Sequence, residues 1–273
     1  MKSKKLHTVL YVILAVYGVI SVLPFVWMVL SSFKLNQEIM SVTASFFPQN
    51  PTFHNYPYVF QRFKFLTFFK NSVFLAVTRT ALVIYTSSLC GYVLAKHTFR
   101  GRDLIFGWIL ATMMIPWPVT IIPMYSLMLS FGWLNSYLAI IVPSLLSGFG
   151  IFLMRQFIKG IPDDLVEAGR IDGASEFYIF HRVILPLCVN ALAAVAIFHF
   201  LWYWEDFLWP FLVLQDDSKQ VLAVGLQLFS QRYGTDFGGL FAATTMGIVP
   251  VLLVYIIFQK RFIEGMTMTG IKG

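Results

Sequence analysis

Long apolar runs, separated by short polar stretches, constrain this chain more than any other feature. The first run extends from Leu6 to about Leu30 behind a basic flank, and it is too long for a signal-peptide core. About 20 consecutive apolar residues are enough for a helix to cross a bilayer. Further runs occupy about 71–95, 104–129, 136–157, 184–208 and 240–258. The sequence therefore predicts an all-α, polytopic membrane protein with six transmembrane helices, the first of them about 6–30.

The composition and the placement of charge support that interpretation. Hydrophobic residues make up 58% of the chain and charged residues 12%, whereas soluble domains carry about 25% charged residues. Of the 20 Lys and Arg residues, 13 lie on the side that holds both termini and the loop between the fourth and fifth spans. This bias predicts that both termini are cytoplasmic, and it explains the net charge of +7 without a nucleic-acid partner. Cys90 and Cys188 lie far apart without ligand-type spacing, so no metal site is predicted.

The most polar long stretch between two apolar runs is the 163–186 segment, DDLVEAGRIDGASEFYIFHRVILP. Acidic residues follow Pro162, where carboxylates favour a helix N-terminus. Asp172-Gly173 is a turn signal that divides the segment into two short helical pieces. The small residues Ala168 and Gly169 would let another protein approach closely. On these residues alone, two interpretations stay open: a docking element outside the membrane, or an ordinary loop with a surface helix.

The same segment resembles the EAA motif of ABC-importer permease subunits. That motif reads Glu-Ala-Ala, three residues, Gly, nine residues, Ile, one residue, Leu-Pro. This chain keeps every spacing, with Gly169 in place of the second Ala and Val183 in place of Ile. The resemblance implies a coupling helix that sits in a cleft of a cytoplasmic ATPase. The implied ATPase-coupling residues are Asp163, Leu165, Glu167, Ala168, Gly169, Arg170, Asp172 and Gly173.

Further stretches resemble the smaller permease subunit of the maltose-type, carbohydrate-uptake branch. They are residues 123–125 with 132–136, 204–210, 222–225 and the closing 265–273. The resemblance implies one permease domain over 1–273 that imports a sugar or oligosaccharide by alternating access. It also implies four kinds of partner: a second homologous permease subunit, two copies of a P-loop ATPase, an extracytoplasmic solute-binding protein and the lipid of a bacterial cytoplasmic membrane. The external loop at 212–237 would help to release solute from the binding protein.

The chain has no segment of the form G-x-x-x-x-G-K-[ST], which cradles nucleotide phosphates. We therefore predict that this chain is not an enzyme, has no catalytic residue and binds no cofactor. ATP and Mg²⁺ are expected on the partner ATPase.

Polar side chains inside the apolar runs are candidates for a substrate path or gate. Arg79 would line the path, pair with a neighbouring helix or extend to the membrane surface. His199 is expected to hydrogen-bond a neighbouring helix. Glu205 and Asp206 are assigned to an external gate or receptor contact, and Trp204 to the substrate path or gate. An interfacial aromatic belt explains the nearby tryptophans, and sugar stacking is the sharper alternative.

Three other functions stay open on the sequence. The chain could belong to an ABC importer of another solute class. It could be a proton-coupled secondary transporter in which His199 and the acids at 205 and 206 relay protons. It could also be a membrane-embedded enzyme, for which His181-Arg182 beside the acids at 163 and 164 is the nearest set. Transport or activity by the chain alone would favour either of the last two.

Overall fold

The computed structural model describes the backbone of residues 2–42, 45–234 and 236–269, and the side chains in those ranges other than 2–6, 231–233 and 264–269. Throughout the described residues, all the regular structure is helical. Residues 270–273, the end of the closing stretch that resembles the carbohydrate-uptake branch, lie outside the described residues. In chain order the α-helices are α1 (Lys2–Ser32), α2 (Asn36–Ile39), α3 (Asn55–Arg62), α4 (Phe65–Lys96), α5 (Arg102–Met113), α6 (Trp117–Ser130), α7 (Leu138–Ile141), α8 (Gly148–Lys159), α9 (Asp164–Ile171), α10 (Glu176–Ile179), α11 (Leu185–Leu187), α12 (Val189–Trp204), α13 (Leu208–Val213), α14 (Leu222–Tyr233) and α15 (Phe237–Thr269).

Among the described residues, four helical stretches are long and apolar enough to cross a membrane: His7–Ser32, Phe65–Lys96, Leu138–Lys159 and Phe237–Ile263. Two bent pairs raise the number to six. In one pair, the chain bends by 101° between α5 and α6. In the other, it bends by 80° between the helical stretch at 176–187 and α12. The predicted all-α, polytopic membrane fold is confirmed.

Proline residues explain where the spans break. Pro116 directly precedes α6, and Pro118 lies in its first turn, where the missing backbone N–H leaves no hydrogen bond unmade. Pro143 lies in a short 3₁₀ turn, Val142–Ser144, that ends α7. A π-helical turn, Phe180–Ile184, precedes Pro186. The ordinary helical pattern is disfavoured there because proline has no backbone N–H to donate and its ring clashes with the carbonyl group four residues earlier.

The helices extend beyond the apolar runs that predict them. The second starts at Phe65 rather than at residue 71, and the last continues to Thr269, through much of what the sequence suggested was a tail after 258. The predicted external loop at 212–237 and the polar stretch at 34–69, between the first two predicted spans, also contain helices α2, α3 and α14. Backbone hydrogen bonding decides where a helix ends, whereas polarity marks only where the chain leaves the apolar layer.

The chain divides into two compact units, the first comprising residues 1–66 and 225–249. Within it, Asn55 is buried and its amide donates to the carbonyl oxygens of Ser32 and Lys34, each at 2.8 Å. Trp27 packs edge-on against Phe241 with ring centroids 5.1 Å apart. Most of α1 between 9 and 26 stays exposed, so this helix presents an apolar surface along its length.

The second unit comprises residues 67–224 and the chain from 250 onward. One of its cores contains ten buried residues drawn from α4, α8, α12, the 163–186 segment and the residue that precedes α12: Tyr92, Met154, Ile158, Val166, Ile179, Phe180, Ile184, Cys188, Ala191 and Val195. The 163–186 segment is therefore packed into the same core as three membrane helices.

Candidate functional site

The 163–186 segment forms two short helices joined at a glycine turn, as the sequence pattern predicts. Gly173 has a φ of +76°, a left-handed conformation that suits glycine at the end of a helix. Ala174 N–H donates to the carbonyl of Gly169 at 2.9 Å and closes the end of α9. Ser175 then caps α10 by accepting the Tyr178 N–H at 3.3 Å. The turn fixes the angle between the two helices.

The two faces of this segment differ sharply. Val166, Ile179 and Phe180 are buried in the core, whereas apolar side chains on the other face are exposed, Ile171 by 85% and Phe177 by 64%. The predicted coupling residues other than Gly169 are all exposed: Asp163, Leu165, Glu167, Ala168, Arg170, Asp172 and Gly173. The segment therefore offers a mixed acidic and apolar surface of the kind a partner protein could cover.

Gly169 has a packing role inside the segment. A Cβ atom at this position would lie 3.0 Å from Cγ1 of Ile179, closer than ordinary van der Waals contact. Glycine therefore allows α9 to approach α10 closely. The substitution of Gly for the second Ala of the motif has a local structural reason.

Glu176 contacts three side chains, and together we call them the Glu176 cluster: Tyr92, His97, Arg170 and Glu176. The Tyr92 hydroxyl donates to Oε2 at 2.7 Å, the Arg170 Nε to Oε1 at 2.6 Å, and Nε2 of His97 lies 3.2 Å from Oε2. Tyr92 belongs to α4 and His97 follows that helix directly. The cluster ties the 163–186 segment to the end of α4.

Lys96 makes a second tie between the same two elements. Its Nζ donates to the carbonyl oxygen of Ile161 and to Oδ1 of Asp163, the latter at 2.5 Å. The hydrogen bond from the Lys96 ammonium lowers the pKa of the Asp163 carboxyl below its ordinary value. Asp163 is thus ionised, and it holds the start of α9 against α4.

A cavity of about 510 Å³ lies in the second unit, within the size range of about 300–1,000 Å³ that is typical of small-molecule sites. We call it the Arg79 cavity. Its lining combines aromatic rings, hydroxyl groups and one ion pair: Arg79, Trp117, Met124, Ile140, Pro143, Ser144, Leu146, Ser147, His199, Trp202, Tyr203, Asp206 and Trp209.

Arg79 is paired with Asp206 and also faces this cavity, while its place on a substrate path stays a prediction. Its Nη1 donates to Oδ2 of Asp206 at 2.9 Å, and its Nε donates to Oγ of Ser144 at 3.2 Å. The guanidinium carbon lies 3.9 Å from the centroid of the Tyr203 ring. Since Arg79 is only 7% exposed, these partners satisfy a charge that would be costly at this depth.

His199 is buried and hydrogen-bonded on both ring nitrogens. Nδ1 lies 2.9 Å from the carbonyl oxygen of Val195, which can only accept, so Nδ1 carries the proton. Nε2 lies 2.8 Å from Oγ of Ser147, the residue that caps α8. The predicted bond to a neighbouring helix is present, and Asp206 belongs to a different hydrogen-bonded set.

The break between α7 and α8 exposes carbonyl groups that a continuous helix would satisfy. Side chains supply the missing donors: Trp209 Nε1 to Ala139 O at 2.9 Å, Tyr203 hydroxyl to Ser144 O at 3.3 Å, and Thr86 hydroxyl to Leu145 O at 2.5 Å. Irregular backbone is tolerated at membrane depth where it lines a cavity or is buried in protein. The sequence thus forms the cavity by interrupting its fourth span.

Trp204 and Glu205 do not line the cavity. Trp204 is buried against Phe200 and Phe69, with ring centroids 5.8 Å away in each case. Glu205 is exposed just beyond the end of α12. Their assignment to a gate or receptor contact stays a prediction.

Residues 87–267 match the family described as "Binding-protein-dependent transport system inner membrane component". The chain belongs to this family. The match covers well over half of the chain, and the predicted resemblance to ABC-importer permeases is confirmed.

Relatives of this permease are alike along almost their whole length. The arabinooligosaccharides transport system permease protein AraQ of Halalkalibacterium halodurans is 37% identical over 93% of this chain and 92% of its own length. The diacetylchitobiose uptake system permease protein NgcG of Streptomyces coelicolor is 36% identical over 95% of this chain and 87% of its own.

A solved structure shares the fold of the permease. It is the crystal structure of a bacterial ABC transporter involved in the import of the acidic polysaccharide alginate. The likeness has a TM-score of 0.84 over 96% of this chain and 98% of the other, at 24% identity.

Several cavity residues of the permease escaped the sequence analysis. Ser144 and Ser147 matter because they lie in the interruption of the fourth span, which the sequence analysis took as one run over 136–157. The signal was present as Pro143-Ser144 followed by Ser147-Gly148 inside an apolar run. Tyr203 could not be found, because its role depends on the position of Arg79. In the described part of the permease, no group of three His, Cys, Asp or Glu side chains could hold a metal ion.

Proposed function

We propose that this permease is one of two homologous membrane subunits of an ATP-driven importer for a sugar or oligosaccharide. The observation that supports this proposal is the near full-length likeness to permeases named for arabinooligosaccharides and diacetylchitobiose. The Arg79 cavity fits such a cargo, because it combines aromatic rings with hydroxyl and charged hydrogen-bonding groups.

The energy would come from two copies of a P-loop ATPase with ATP and Mg²⁺, since this chain contains no phosphate-binding loop. The exposed face of the 163–186 segment is the proposed ATPase contact. Its inner face packs into the core with α4, α8 and α12, and it is further tied to α4 by Glu176 and Lys96. Movement of the segment would therefore move those helices.

Both termini and the 163–186 segment would face the cytoplasm, as the distribution of basic residues supports. An extracytoplasmic solute-binding protein would dock on the opposite side, with the chain at 212–237 as one contact. The part of that stretch up to residue 224 belongs to the second unit, where the Asn71 amide donates to the carbonyl oxygens of Ser218 and Gln220, each at 2.9 Å. Binding of ATP would open the cavity outward, and hydrolysis would reset it.

Co-purification from native membranes tests this proposal. A tagged wild-type chain should bring down a P-loop ATPase and a second permease, identified by mass spectrometry. Glu167→Lys should lose the ATPase, because it reverses an exposed charge on the proposed contact face. Glu205→Lys is the matched control: it makes the same charge reversal at an exposed acid remote in sequence from the segment, and it should keep the ATPase. Recovery of the chain without any ATPase would refute the proposal.

A further inference from the structure

The relatives leave the charge of the cargo open, since arabinooligosaccharides are neutral and alginate is acidic. We propose that the Arg79 cavity accepts an uncharged saccharide and rejects an anionic one, because Asp206 neutralises the cation that would otherwise attract an anion. This inference rests on the proposed function, and it adds a specificity-determining pair to it.

The positive charge of Arg79 is balanced by the carboxylate of Asp206. Nη1 is engaged by Asp206 at 2.9 Å and Nε by Ser144 at 3.2 Å, while the Tyr203 ring covers the guanidinium at 3.9 Å. The side chain of Arg79 is 8% exposed and that of Asp206 is 16% exposed. A solute carboxylate that approaches this guanidinium would meet a cation whose charge the Asp206 carboxylate already balances.

Among the described lining residues, Arg79 and Asp206 are the basic and acidic side chains apart from His199. Nδ1 of His199 donates to the carbonyl oxygen of Val195, and a neutral ring can accept the Ser147 hydroxyl proton at Nε2. Tyr203 donates its hydroxyl proton to the carbonyl of Ser144. With one cation and one anion in contact, the formal charge of the lining is zero.

The carboxylate of Asp206 also repels an anionic solute. An anionic solute close enough to contact Arg79 would also lie close to the carboxylate of Asp206. Placing like charges together away from bulk water is unfavourable. Asp206 therefore acts against anions twice, by occupying the guanidinium and by repelling a second acid.

The groups that remain suit an uncharged sugar. The rings of Trp117 and Trp202 are 42% and about half exposed, so they offer flat apolar surfaces beside the cavity. Aromatic rings of this kind pack against the C–H face of a saccharide, and the hydroxyl oxygens of Ser144 and Ser147 can each accept one further hydrogen bond from its hydroxyls.

The test uses the purified assembly of permeases and ATPases, with binding measured by calorimetry. The probes are galactobiose and digalacturonate, two disaccharides that differ in the oxidation of C6. Wild type should bind digalacturonate more weakly than galactobiose, or not detectably. Asp206→Asn should strengthen digalacturonate binding by tenfold or more, because it leaves the cation uncompensated. Equal or tighter binding of digalacturonate by wild type, or no gain in the variant, would overturn the inference.

A variant that removes the opposite charge of the pair tests the inference if Asp206→Asn does not assemble. Arg79→Gln leaves the acid uncompensated, so it should gain binding of the cationic disaccharide diglucosamine and no binding of digalacturonate. The double variant Arg79→Gln/Asp206→Asn is the matched control, because it restores a neutral lining and should gain neither charged probe. A gain of digalacturonate binding by the double variant would contradict the role given to charge.

Failure here is distinguishable from failure of the proposed function. If the assembly co-purifies and imports a saccharide with ATP, yet the variants gain no charged probe, only the charge inference falls. If no ATPase assembles with the chain, the proposed function falls first.

Discussion

The hydrogen bond between Tyr92 and Glu176 gives a sharp test of how the 163–186 segment is held. Tyr92 is 2% exposed, and its hydroxyl donates to the Glu176 carboxylate at 2.7 Å. Tyr92→Phe removes the donor, whereas Glu176→Ala removes the acceptor and leaves the hydroxyl buried. The two variants and their combination form a double-mutant cycle.

The expected magnitudes follow from burial. Tyr92→Phe should cost about 0.5–1.5 kcal/mol, the net value of one hydrogen bond. Glu176→Ala should cost more: about 1–3 kcal/mol for the unsatisfied buried hydroxyl, and at most about 1 kcal/mol for the half-exposed contacts to Arg170 and His97. In the Glu176→Ala background, the hydroxyl has no acceptor to lose. Tyr92→Phe should then be neutral or stabilising, with a coupling of about 1–2 kcal/mol.

The assay is the free energy of unfolding of the purified assembly in detergent, with transport per ATP hydrolysed as a second readout. Glu176→Ala should lower that transport ratio, because the segment loses its tie to α4. Tyr255→Phe is the control, since its ring is 47% exposed on α15 and its loss of a hydroxyl should change stability by less than about 0.5 kcal/mol. If Tyr92→Phe costs the same with and without Glu176, the reasoning is refuted.

Two further predictions concern packing and pH. Gly150→Ala should destabilise the protein by about 1–3 kcal/mol in denaturant unfolding, because the new Cβ would clash with Oγ of Ser87. Gly107→Ala, where no atom lies within 4 Å, should be neutral or stabilising, and equal effects of the two would contradict the packing. Asp163→Asn should lower stability near neutral pH, because Lys96 depresses the pKa of the native carboxyl. That deficit should be complete above the unfolded pKa of about 3.9 and disappear as pH falls through the lower native pKa; an unchanged deficit in strong acid would contradict it.

Much of the fold could be predicted because the bilayer restricts what an apolar run can become. A run such as 71–95 has few alternatives to a helix, and the proline-rich stretch at 116–123 indicates a break without any knowledge of neighbours. The turn at Gly173 could also be predicted from local sequence, since the left-handed φ that commonly ends a helix favours glycine.

The cavity could not be predicted, because its chemistry depends on pairs that are distant in sequence. Arg79 and Asp206 are separated by 127 residues, and nothing in either local sequence selects the other. The interruption after Pro143 was missed for a related reason. An apolar run can hide a break when the freed carbonyl groups find donors on other helices, as the carbonyl of Leu145 does with Thr86.

The most direct test of the central claim is solute uptake into proteoliposomes, with the tagged chain reconstituted alone or with its co-purified permease, ATPase and binding protein. A radiolabelled extract of neutral oligosaccharides serves as the cargo. The account predicts no accumulation by the chain alone and accumulation by the complete assembly only when ATP is present. Accumulation by the chain alone, driven by a proton gradient and independent of ATP, would contradict it and redirect attention to the intramembrane charges.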